Sequence, residues 1–117
     1  MTTIETLRNL ALSFPETSEE PHFEKTSFRV QSKIFATYNE KEKWATLKFK
    51  ADEQSMFCKI DAENIFPVPN AWGRSGWTHI RINNLSKEIM EDLLMAAYIS
   101  VANKKLTDKL LNNNTNN

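Results

Sequence analysis

At 117 residues, 40% of them apolar and 26% charged, the chain has the size and composition of one globular domain that buries a core without disulfides or metal. Fifteen Lys and Arg balance fifteen Asp and Glu, so net charge permits an anionic partner but does not announce one. No apolar run reaches the roughly 18 residues of a membrane span, and MTTIETLRNLAL lacks a signal peptide's basic start and long apolar centre. Cys58 stands alone, which excludes an internal disulfide and makes the reducing cytoplasm the expected setting.

Thr2-Thr3-Ile4-Glu5 fits a capping box, and Ile4, Leu7, Leu10 and Ala11 repeat at helical spacing, so a first helix is expected to run to about Ser13. Pro15 ends it. The acidic ETSEEPHFEK, with Pro21, reads as a surface loop. Three strand-like runs follow: one with Phe28 and Val30 on one face, KIFATYN with Ile34, Ala36 and Tyr38 together, and WATLKFK. In the last, Ala45, Leu47 and Phe49 oppose Trp44, Thr46, Lys48 and Lys50. Their polar connectors suit antiparallel hairpins. Asp52 is a suitable N-cap for a short helix that points Met56, Phe57 and Ile60 inward.

Residues 67–82, PVPNAWGRSGWTHIRI, hold both glycines, two of the three tryptophans and two of the four prolines. Here the prolines stiffen an extended lead-in, Asn70 to Gly76 make a tight crossing with both glycines at positive φ, and the tryptophans pin it. WTHIRI is a fourth strand, with Ile80 and Ile82 opposite Trp77, His79 and Arg81. Ser86 then caps a long helix whose stripe runs from Ile89 to Val101, and Lys104 and Lys105 suit its negative end. The expected fold is a single compact α+β domain over residues 1–106. Its order is α-β-β-β-α-β-α, its sheet mostly antiparallel with helices on one face, and 107–117 form a polar tail whose final NNNTNN is expected to fray. No repeat is visible.

Groups that do chemistry are sparse. His22 and His79 fit no zinc spacing, Cys58 has no CxxC partner and reads as a buried inert thiol, and the Glu16–Glu24 cluster matches no calcium or magnesium loop. Gly73-Arg74-Ser75-Gly76 lacks the spacings of phosphate-binding loops. No enzyme activity, metal or cofactor is expected. The charge distribution is more informative: residues 1–24 carry one basic and five acidic side chains, whereas residues 25–82 carry ten basic and six acidic. If the strand of Trp44, Lys48 and Lys50 lies beside that of Trp77, His79 and Arg81, cations and flat rings interleave. Such a face either binds phosphates and bases or simply solubilises the sheet.

The overall pattern resembles the MmcQ/YjbR family of small bacterial proteins over about residues 4–106. Four places carry it. Leu12-Ser13-Phe14-Pro15-Glu16-Thr17, then Pro21-His22, is similar to the family's opening. Phe28-Arg29-Val30 with Lys33-Ile34-Phe35-Ala36 is similar to its hairpin, and Leu47-Lys48 to its Leu-Lys strand. Asn70-Ala71-Trp72-Gly73 leading to Trp77 is similar to its signature. The chain departs where many members have Leu-Lys-Cys and it has Leu47-Lys48-Phe49. The resemblance implies a double-wing α+β fold and DNA binding, with Lys33, Lys48, Trp72, Gly73 and Trp77 as matching positions. The charge pattern adds Lys50, Arg74 and Arg81. DNA is thus the expected partner, and a protein or small molecule at the Trp72/Trp77 region is the alternative.

Overall fold

The elements follow one another as α1 (Ile4–Leu12), β1 (Thr17–His22), β2 (Lys25–Val30), β3 (Lys33–Asn39), β4 (Trp44–Lys48), α2 (Ala51–Ile60), β5 (Ile65–Pro67), α3 (Ala71–Arg74), β6 (Trp77–Ile80), a 3-10 turn (Ile82–Asn84), α4 (Lys87–Val101) and α5 (Lys104–Thr115). They are taken from a computed structural model that describes residues 1–115. All six strands form one sheet in the order β1-β2-β3-β4-β6-β5, and every pairing is antiparallel. Helix α4 packs across β3 and β4, with α1 against α4 and β1. The architecture is the expected α+β class, with helices over one face of an antiparallel sheet.

The core lies between that face and the helices. Phe28, Val30, Ala36, Ala45, Leu47, Phe49 and Ile80 from the strands meet Leu7, Met90, Leu93, Leu94 and Tyr98 from the helices. Tyr98 is fully buried, and its hydroxyl donates to the Pro15 carbonyl at 2.8 Å. That bond satisfies the one polar atom the ring carries into the interior and ties α4 to the end of α1.

Several local expectations are corrected by tertiary contacts. Helix α1 is capped by Thr3, whose hydroxyl accepts from the Thr6 amide. Thr2 is drawn inward to donate to the Leu85 carbonyl at 3.0 Å. The acidic stretch expected as a loop is edge strand β1. Pro21 is tolerated there because an edge strand leaves one row of amides unused. Glu19 accepts from Arg8 at 2.7 and 3.2 Å and from the Thr26 hydroxyl, which adds a charged clamp between α1 and the edge.

Strand β3 contains a bulge. Phe28 pairs with Ala36 and Arg29 with Ile34, so Phe35 is the extra residue. Phe35 and Ala36 are both buried in the core, and Ile34 emerges on the opposite face, contrary to the simple alternation. The β2–β3 turn holds Gln31 at φ 50° and Ser32 at φ 68°, the two left-handed positions of a tight hairpin.

Helix α2 begins after Lys50 with no side-chain cap, because the Asp52 carboxylate accepts only from the neighbouring Glu53 amide. It buries no residue fully: Met56 and Ile60 are exposed, and Phe57 and Cys58 pack against the core, the Phe57 ring 5.0 Å from that of Phe49. Strand β5 is too short to leave a periodic signal. Lys104 and Lys105 open a new helix, α5, whose amide at Leu106 is capped by the Asn103 carboxamide. Leu106 and Leu110 of α5 join the core. Residues 107–115 of the expected tail, its NNNT included, belong to this helix, whereas Asn116 and Asn117 lie outside the described residues.

Candidate functional site

The sheet face turned away from the helices is concave. Its floor is Ile34 and Thr37 of β3, Thr46 of β4 and His79 of β6. Ile34 belongs there only because the Phe35 bulge re-aims it. One wall is the β1–β2 hairpin, which contributes His22 and Lys25; the other is the β5–α3–β6 crossing, which contributes Val68, Trp72 and Trp77. Together they enclose an open groove of about 370 Å³, within the roughly 300–1,000 Å³ of small-molecule sites.

The crossing explains why both glycines and two tryptophans fall together. Asn70 accepts from the Trp72 amide at 2.8 Å and starts the single turn α3. Gly73 lies within that turn, and its φ is not in the left-handed range. It is needed because a Cβ there would collide with the Val68 carbonyl oxygen and stand 2.9 Å from the carbonyl carbon. Gly76 has the positive φ, +114°. The turn thus folds directly onto its own lead-in and leaves the Trp72 ring 64% exposed on the groove wall.

The interleaved face is present. Strands β4 and β6 are neighbours, with Thr46 opposite His79 and Lys48 opposite Trp77. Beside the groove, Trp44 stacks on His79 at 4.1 Å between ring centres, with Phe66 edge-on to both. The Arg81 guanidinium lies 5.8 Å from the Trp44 ring and 5.3 Å from that of Phe66. Cation–ring contacts of this kind hold an exposed arginine in place.

Of the seven side chains singled out in the sequence, Trp72 and Trp77 line the groove. Lys48 is half-buried beside it, its ammonium donating to the Ser75 carbonyl at the end of α3. Lys33, Lys50 and Arg74 are exposed, and the register gathers them with Lys48 at one end of the sheet. Arg81 lies at the other end, beyond Ile80. The β2–β3 and β3–β4 hairpins also sit at opposite ends of β3, roughly 20 Å apart at strand rise. His22, Lys25, Thr37, Thr46 and Val68 were not foreseen as site residues. Lys25 was legible in principle, since Phe28 and Val30 facing inward place Lys25 and Arg29 outward. His22 was not, because its strand read as a loop.

His79 has a particular chemistry. Its Nδ1 is hydrogen-bonded to the Thr46 hydroxyl at 2.9 Å, so the other ring nitrogen is the one left for the groove. Burial first, then Lys25 and Arg81, hold its pKa below 6.5. The ring is therefore neutral at physiological pH. As pH falls below about 6.5, the unfolded chain takes up a proton that the folded chain refuses, so stability declines until the lower folded pKa is passed. Urea unfolding at about pH 7.5 and about pH 5 should show this decline, and His79→Gln should remove His79's share of it. Cys58 is half-buried beneath the core, and burial raises its thiol pKa, which favours the unreactive protonated form.

A family model described as YjbR matches residues 12–99. Among solved structures, the crystal structure of Deinococcus radiodurans protein DR2400, described with the family-model domain DUF419, aligns with a TM-score of 0.77. It shares 20% sequence identity over 94% of this chain and 88% of that one, a likeness that concerns the fold. No curated protein matches.

Proposed function

The chain belongs to the YjbR family, and from that premise and the geometry of its open sheet face we propose that it is a binding protein whose groove takes a small molecule with a flat apolar body and an anionic end. The observation that carries this reading is the convergence of Trp72, Trp77 and neutral His79 on one groove with Lys25 at its edge. Rings and Val68 supply the apolar walls, Lys25 the charge, and the second His79 nitrogen a directional hydrogen bond.

The test is a titration with 1-naphthoate followed by tryptophan emission. Saturable one-to-one quenching is expected, with Trp72→Ala weakening binding about thirtyfold, the middle of the range for loss of one stacking partner. Lys25→Ala should weaken naphthoate but leave the uncharged naphthalene-methanol unchanged. Absence of saturation at millimolar probe, or equal affinity in Trp72→Ala, overturns the reading.

DNA binding is the second reading, favoured by the gathering of Lys33, Lys48, Lys50 and Arg74 at one end of the sheet and by the shared face of β4 and β6. It uses the β2–β3 and β3–β4 hairpins as wings, with Arg81 marking the far end of the contact. The binding constant read from the anisotropy of a labelled duplex should then fall with salt by about 0.9 log unit per phosphate contact for each tenfold rise. A Lys33→Ala/Lys50→Ala variant should flatten that slope, and salt-insensitive binding contradicts this reading.

A further inference from the structure

The register of the sheet lines up a row of polar side chains across the groove face. Ser27 stands opposite Thr37, Thr37 opposite Thr46, and Thr46 opposite His79. Thr37 and His79 are therefore two strand spacings, roughly 10 Å, apart. Most of the row is committed internally. The Ser27 hydroxyl donates to the Glu20 carbonyl at 2.8 Å and accepts from Arg29 Nε at 3.0 Å. The Thr46 hydroxyl is bonded to His79 Nδ1.

Thr37 is the exception. The residue is 8% exposed and lines the groove, yet its hydroxyl is bonded to no protein group among the described residues. Nor is that hydroxyl sealed in the interior. Among the described residues, Glu53 Oε1 is the one side-chain polar atom that is both buried and unpartnered, so the Thr37 oxygen keeps some accessible surface. The groove is where that surface opens. A ligand body lying on the floor strips the water from this oxygen, and an apolar body gives it no hydrogen bond in exchange, which costs affinity.

Resting on the groove reading above, we infer that the ligand is a hydroxylated aromatic carboxylate, its ring hydroxyl against Thr37 and its carboxylate toward Lys25. A threonine hydroxyl both donates and accepts, and so does a ring hydroxyl, so the two match in either direction. Thr37 then sets specificity, because a site that hydrogen-bonds a ligand hydroxyl discriminates against the analogue lacking it.

Calorimetric titration of the full chain with 1-naphthoate and with its 4-, 5- and 6-hydroxy derivatives tests the assignment. In all three derivatives the hydroxyl is too far from the carboxylate to bond to it internally. At least one is expected to bind about fivefold tighter than 1-naphthoate, the gain from one neutral hydrogen bond. Thr37→Val, which exchanges the hydroxyl for a methyl, should bring that ratio close to one, and Thr37→Ser should keep it. Saturable naphthoate binding with no preference for any derivative overturns the inference and leaves the groove reading standing. A preference that survives Thr37→Val does the same. If neither naphthoate nor any derivative saturates at millimolar concentration, the groove reading fails and the inference falls with it.

Discussion

Gly76→Ala should destabilise the protein by about 3 kcal/mol or more, the sum of two separate penalties. The first is conformational: Gly76 sits at φ +114°, a region that side-chain-bearing residues occupy only at a cost of about 1–3 kcal/mol. The second is steric. A Cβ there would collide with the Phe49 carbonyl oxygen, with the Phe49 carbonyl carbon at 3.3 Å and the Lys48 Nζ at 3.2 Å. The lysine tip could move, but the Phe49 backbone is fixed, since its amide donates to the Gly76 carbonyl at 3.0 Å. Relief would have to come from prising β4 from β6, the pair that carries the groove floor. A domain of this size has a total stability of about 5–15 kcal/mol, so the loss should be plain in a urea midpoint. Gly73→Ala is the control. It meets the Val68 backbone but has no positive φ, so it should cost about 1–3 kcal/mol from packing alone. A Gly76→Ala loss below about 1 kcal/mol would overturn both penalties.

The two glycines also show what a sequence can and cannot disclose. Their clustering beside Trp72 and Trp77 located the crossing correctly, because a chain with only two glycines must use them where nothing else fits. Which constraint each one meets was hidden, since the close approach at Gly73 depends on Val68, five residues away and folded back. Period-two alternation revealed β2, β4 and β6, each with one face in the core. It failed for β1, whose buried face is mostly polar and held by the Arg8–Glu19 clamp, and for β5, which has three residues. Helix α4 was legible through its cap and stripe; α2 was legible as a helix and through Phe57, but Met56 and Ile60 do not fall on the side it packs. The groove was half legible. Trp72, Trp77 and His79 came from local pattern, and Lys25 could have; His22 and Ile34 reach it only through pairings that no single segment encodes.

Phe35→Ala tests the device on which both the core and the groove depend, and it should cost about 3–5 kcal/mol in urea unfolding. Phe35 is fully buried, its ring centre 6.3 Å from that of Phe14 and 5.7 Å, edge-on, from that of Tyr98. Removing it leaves a cavity between β3, Phe14 of the α1–β1 connection and Tyr98 of α4. The bulge that admits this ring also turns Ile34 out to the groove, so adjacent residues serve opposite faces. Ile34→Ala should therefore do the reverse of Phe35→Ala. Its stability cost should be about 1 kcal/mol, because the residue is half-exposed and loses little buried area, but naphthoate binding should weaken. Phe35→Ala should leave naphthoate affinity near the wild-type value at temperatures where the variant remains folded. If both substitutions damaged stability equally and binding equally, Phe35 and Ile34 would not lie on opposite faces, and Ile34 could not be part of the groove floor.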